Sequence, residues 1–72
     1  MILKDLIKNS GVELVYIIDT KRGNNRKSRL YTFDLTYPPD TIALKEFLED
    51  YGHSLVLYGA TNIYTNTVTA HI

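Results

Sequence analysis

The chain contains no cysteine and no tryptophan among its 72 residues. Without cysteine it has neither a disulfide nor a thiolate zinc site, so packing or self-association must stabilise a domain of this size. We therefore expect a homodimer or a higher homo-oligomer. The missing cysteine also removes any sign of an oxidising compartment, and Met1 to Asp5 lack the basic and apolar regions of a secretory signal. A cytoplasmic location is expected.

Long hydrophobic runs are also missing from the sequence. No apolar stretch approaches the roughly 20 residues that a membrane-spanning helix requires, so no membrane contact is expected. Hydrophobic residues make up 44% and charged residues 22% of the chain, which is typical of globular proteins. Because this length supports only one hydrophobic core, we predict a single domain over residues 1–72.

The spacing of apolar residues predicts two helices. The first covers 2–8, carries Ile2, Leu3, Leu6 and Ile7 on one side, and ends at Ser10-Gly11. The second follows Pro38-Pro39, with Asp40 or Thr41 as its cap, and ends at Gly52. Its apolar stripe has the i, i+3, i+4, i+7 spacing of an amphipathic helix and consists of Leu44, Phe47, Leu48 and Tyr51.

Four segments have the alternation and β-branched composition of strands: 12–20, 28–37, 54–60 and 63–72. Residues 21–27 supply a hairpin turn, and Thr61-Asn62 supply another. The resulting order is α-β-β-α-β-β. We predict an α+β fold with a four-stranded, mainly antiparallel sheet and both helices packed on one face.

The first and last strands have informative faces. In the first strand, Val12, Leu14, Tyr16 and Ile18 are expected to face the core, which leaves Val15 and Ile17 on a second apolar face. In the last strand, Tyr64, Val68, Ala70 and Ile72 share one face. Thr65, Thr67, Thr69 and His71 share the other, which is predicted to be a threonine ladder that faces water or a partner.

The net charge is zero, but the charges are segregated. Five of the eight basic residues lie within 21–29, where no acid occurs, so the rest of the chain has three basic and eight acidic residues. Cations on a protruding hairpin can reach phosphates or an acidic protein surface, and asparagine side chains can add hydrogen bonds. The predicted binding residues are Lys21, Arg22, Asn24, Asn25, Arg26, Lys27 and Arg29.

Residues that could perform chemistry are few. His53 and His71 are the only histidines, and no further ligand is spaced with them as a metal site requires. Two histidines, within one subunit or across a dimer, could together cleave a phosphodiester, but nothing in their spacing indicates that they meet. Neither a nucleophile motif nor a phosphate-binding glycine loop is present. We expect no catalytic residue, no metal and no cofactor.

Six tyrosines are many for a chain of this length. Periodicity places Tyr31, Tyr37 and Tyr51 on core faces. The remaining three, Tyr16, Tyr58 and Tyr64, are assigned to the core or to a dimer interface in preference to nucleotide stacking.

Three functions are compatible with these features. The first is a small non-catalytic interaction protein that docks on a larger macromolecule, using the basic hairpin and a sheet edge. By analogy of size and composition, it would be a phage or mobile-element inhibitor of a host defence system. The second is a nucleic-acid-binding protein that uses residues 21–29. The third is an oligomeric protein that sequesters or cleaves a small nucleotide.

Overall fold

The computed structural model of the protein describes residues 1–20 and 28–72. The α+β class is confirmed, and the elements follow one another as α-β-β-α-β-β. Their bounds are α1 Leu3–Ser10, β1 Leu14–Asp19, β2 Arg29–Asp34, α2 Pro38–Tyr51, β3 Tyr58–Asn62 and β4 Thr67–His71. Within the described ranges, neither helix is both long and apolar enough to cross a bilayer.

The four strands form one sheet in the order β2-β1-β4-β3. β1 and β2 pair antiparallel, as do β3 and β4, but the central pair, β1 and β4, is parallel. The prediction of a mainly antiparallel sheet is therefore wrong, because the sheet is mixed. Short connections determine the pairing within each hairpin. They do not determine how the two hairpins meet after α2 has carried the chain from one edge strand to the other.

Backbone groups, and not side-chain caps, satisfy the starts of both helices. In α1 the amides of Leu3 and Lys4 donate to the carbonyls of Ser54 and Gly52, both at 2.9 Å. At the start of α2, no side chain makes a capping hydrogen bond. The predicted caps have another role: Asp40 Oδ2 accepts from the Asp34 amide, and Thr41 Oγ1 donates to the Leu35 carbonyl. These bonds join the first turn of α2 to the end of β2.

The hydrophobic core lies between the helices and one face of the sheet. In β1 the fully buried residues are Val15 and Ile17, with Asp19 only 3% exposed. The expected assignment of the core face to Leu14, Tyr16 and Ile18 is wrong, although Val12 is buried as expected. The cluster of buried apolar residues comprises Leu3, Ile7, Val12, Val15, Ile17, Phe33, Leu44, Val68, Ala70 and Ile72.

Phe47 fixes α2 on β2 through aromatic contacts. Its ring centroid lies 4.7 Å from that of Tyr31, 5.5 Å from that of Phe33 and 4.6 Å from that of Tyr51. Tilted or offset rings at these separations attract each other through their quadrupoles. The helix stripe and the inner face of β2 therefore meet as an aromatic cluster, whereas Tyr37, which was also expected inside, is 56% exposed.

Candidate functional site

One face of the sheet carries no member of the hydrophobic core formed by the described residues, and we call it the open face. Successive side chains of a strand point to opposite sides, and the pairing register aligns the strands. None of the open-face residues belongs to the core cluster or packs against it. The open face consists of Leu14, Tyr16 and Ile18; Leu30, Thr32 and Asp34; Tyr58, Ala60 and Asn62; and Thr67, Thr69 and His71.

The open face is apolar at its centre and almost uncharged. The β1 residues form a ridge of larger side chains, Leu14, Tyr16 and Ile18, each only partly buried. Beside it, β4 presents Thr67 and Thr69, as the predicted threonine ladder requires. Asp34 is the single charged residue among the twelve. The central pair of strands, β1 and β4, is parallel, and the two outer pairs are antiparallel.

One row of the open face lies at the end of the sheet where residues 21–27 join β1 to β2. Ile18 is paired with Leu30 on one side and with His71 on the other, and His71 is paired with Tyr58. The rings of Tyr58 and His71 meet edge to face with centroids 5.5 Å apart. Leu30 and Tyr58 are 60% and 61% exposed. The row therefore forms a strip of two aliphatic side chains, an imidazole ring and a tyrosine ring that crosses all four strands.

A groove of about 500 Å³ lies at the other end of β3 and β4. The turn beside it is held by Asn62 Oδ1, which accepts from the amides of Tyr64 and Thr65 at 2.9 and 3.2 Å. Because this turn is fixed from within, Tyr64 projects from it and is 94% exposed. The groove is lined by Ala60, Thr61, Asn62, Ile63, Tyr64, Thr67 and Thr69, so its lining is uncharged.

A long run of residues without charge marks this region in the sequence. Residues 54–70 are seventeen consecutive positions without Asp, Glu, Lys, Arg or His, in a chain where about one residue in five is charged. This run contains five of the nine large hydrophobic residues that are exposed in the described parts of the chain. The absence of charge could have predicted a contact surface here. The alternation of apolar residues in the same run, by contrast, predicts strands and not a contact surface.

Most of the predicted basic site lies outside the described residues: Lys21, Arg22, Asn24, Asn25, Arg26 and Lys27. Arg29 is described and exposed at the start of the edge strand β2. Its guanidinium carbon lies 5.4 Å from the ring centroid of Tyr31, a cation–π distance. Arg29 and Tyr31 are on the helix side of the sheet, so Arg29 borders the aromatic cluster and not the open face.

The two histidines lie on different surfaces. His71 is on the open face against Tyr58, whereas His53 follows α2 and lines a groove of about 380 Å³ with Lys4, Lys45, Leu48 and Glu49. This arrangement does not support the hypothesis that they act as a catalytic pair within one copy of the chain. Among the described residues, no group of three His, Cys, Asp or Glu side chains could hold a metal ion.

The pKa of Asp34 is lowered from its ordinary value of 3.8 by hydrogen bonds from the hydroxyl and amide of Thr36. The Thr36 hydroxyl donates at 2.6 Å and its amide at 2.9 Å, both to Asp34 Oδ1. Both bonds stabilise the ionised carboxylate. They close the turn between β2 and α2, so the lowered pKa has a structural cause.

The chain matches no protein-family model, no curated protein sequence and no solved structure.

Proposed function

We propose that this protein is a non-catalytic interaction protein that docks on a larger protein through the open face. The observation that carries the proposal is the composition of that face around a parallel central pair. Of its twelve residues, six are apolar or tyrosine, five are uncharged polar residues and one is charged. Depletion of charge at the centre, with tyrosine present, is the composition of interface cores.

The size of the open face indicates what else a partner must contact. Four strands about 4.8 Å apart and five residues long give a flat footprint of about 320 Å². A stable interface buries about 800 Å² on each partner, so a partner must also reach the surroundings of the face. On one side these include the groove near Tyr64. We propose residues 21–27, which follow β1 in the sequence, as a further contact.

The basic residues of segment 21–27 favour a partner whose contact surface is bordered by acidic residues. Lys21, Arg22, Arg26 and Lys27 lie in the sequence between β1 and β2, the strands that contribute Ile18 and Leu30 to the open face. An apolar centre bordered by cations is complementary to an apolar patch bordered by carboxylates. Within this class of partner we propose host defence machinery, since small cysteine-free proteins of this composition are common among phage and mobile-element products.

The test is affinity capture from host extract with matched variants. Thr69→Lys adds a charge at the centre of the open face, where Thr69 is only partly buried, so the ammonium group can reach water and we expect the fold to be retained. Ile42→Lys adds the same charge on α2, where Ile42 is 61% exposed. We expect a captured protein to be retained by the wild type and by Ile42→Lys, and lost with Thr69→Lys.

Two results would contradict the proposal. Equal capture by both variants would exclude the open face as the docking surface. Capture of nucleic acid that is released by a moderate rise in salt would instead favour the nucleic-acid-binding alternative, because phosphate contacts release counterions.

A further inference from the structure

The edge of the sheet formed by β3 lacks the features that protect most natural edge strands. All five residues of β3 are exposed, and among the strands of residues 1–20 and 28–72 its only neighbour is β4. In an antiparallel pair alternate residues direct their N–H and C=O groups away from the neighbour, so β3 presents a free row of donors and acceptors. β3 contains neither a charged residue nor a proline, which are the usual barriers to strand addition.

The two edges of the sheet differ in this respect. β2, at the opposite edge, has a charged residue at each end, Arg29 and Asp34, and is preceded by the basic segment. β3 lies inside the uncharged run 54–70. The backbone just before β3 is already paired, since the Val56 amide donates to the Met1 carbonyl at 2.9 Å. The unpaired part of this edge is therefore β3 itself.

We propose that β3 pairs with β3 of a second copy of this chain, antiparallel and about a two-fold axis near Ala60, to form an eight-stranded sheet. Such an interface places the same patch against itself, which an uncharged edge permits without repulsion. The pairing places Leu57 of each copy opposite Ile63 of the other copy. Leu57 is 62% and Ile63 is 79% exposed, so two exposed apolar residues at the ends of the strand cover each other.

The pairing also enlarges the open surface that is available to a partner. A two-fold axis perpendicular to the sheet keeps the two open faces on one side, so their flat footprint rises from about 320 to about 640 Å². The edge-to-edge contact is itself small, and small interfaces dissociate readily. The dimer is therefore concentration-dependent. It is inferred from the edge alone and does not depend on the proposed docking function.

The test is sedimentation equilibrium of the purified chain, with no added residues before Met1 because Met1 lies beside Val56. The probe is the protein itself at about 1 µM to 1 mM, the range expected for small interfaces. We expect a monomer–dimer equilibrium. Leu57→Lys and Ile63→Asp should each weaken the dimer at least about tenfold, since each places an unpaired charge against an apolar side chain. Ile42→Lys, equally exposed on α2, should leave it unchanged.

Mixing the two edge variants tests the register. In the mixed dimer one end joins the introduced lysine to the introduced aspartate, and the other end keeps the natural Leu57–Ile63 contact. Association of the mixture should therefore recover most of the loss. A wild-type monomer at every concentration, a dimer insensitive to both edge variants, or a mixture no tighter than its components would overturn the proposal. Because the readout uses pure protein, and the edge variants Leu57→Lys and Ile63→Asp differ from the Thr69→Lys variant of the capture experiment, either proposal can fail without the other.

Discussion

Replacing Ile17 by threonine tests which side of β1 points into the core. Ile17 is fully buried and Ile18, its neighbour, lies on the open face. Ile18→Thr serves as the matched control. Threonine retains the β-branched shape that strands prefer, so Ile17→Thr and Ile18→Thr differ mainly in the environment of the side chain. Each removes one methyl group and replaces a methylene by a hydroxyl. At Ile17 the lost apolar volume costs about 1 kcal/mol.

The buried hydroxyl at that position adds about 1–3 kcal/mol if it lacks a partner. We therefore expect Ile17→Thr to lower the free energy of unfolding by about 2–4 kcal/mol. Ile18→Thr should cost about 1 kcal/mol or less, because its hydroxyl reaches water and neighbouring threonines. A domain of this length has only about 4–11 kcal/mol in total, so the first variant will be visibly unstable.

Urea unfolding followed by circular dichroism measures both variants against the wild type. Comparison at a protein concentration low enough to give monomers removes any effect of self-association. Equal costs, or a larger cost for Ile18→Thr, would refute the assignment of the core face to Val15 and Ile17.

Three further perturbations follow from local geometry. Gly11 ends α1 with φ 64° and has no atom near its missing Cβ, so Gly11→Ala should cost about 1 kcal/mol through the backbone alone. Gly11→Asn should cost less in the same urea experiment, and an equal cost would contradict this cause. Phe47→Leu should cost about 2 kcal/mol, because it removes three aromatic contacts; a thermal melt unchanged by it would contradict the cluster. Thr36→Val removes the hydroxyl that lowers the pKa of Asp34, so an NMR titration should show that pKa moving back towards 3.8. A carboxyl group whose pKa is lowered by folding stabilises the folded state at pH values above its unfolded-state pKa, and this stabilisation disappears as the pH falls through its folded-state pKa. The wild type should therefore lose its stability advantage over Thr36→Val below about pH 4. Parallel acid profiles would contradict this.

The predictable parts of the fold are those that local patterns determine. The stripe of Leu44, Phe47 and Leu48 has only one helical interpretation, and the alternation of Val68 with Thr67 and Thr69 has only one buried face. β1 differs because both of its faces are apolar, so periodicity shows a central strand but not which face the helices cover. The parallel pairing of β1 with β4 was equally inaccessible, because it depends on where α2 delivers the second hairpin.

The candidate site was predicted in part. The threonine face of β4 was identified as a surface for water or a partner, and Thr67 and Thr69 do lie on the open face. Tyr16 and Ile18 were expected on the core face of β1, and this error concealed the apolar ridge beside the threonines. The basic segment remains a prediction for its residues 21–27, whereas Arg29 packs on Tyr31.

Side-chain footprinting of the complex tests the central claim most directly. Hydroxyl radicals oxidise exposed aromatic and aliphatic side chains, and mass spectrometry of the digested protein reports each site with and without the captured partner. We predict that Tyr16 and Leu30, on the open face, become protected, while Tyr37 and Ile42, on the helix side, react as in the free protein. Protection of Tyr37 and Ile42 with unchanged oxidation of Tyr16 and Leu30 would contradict docking through the open face.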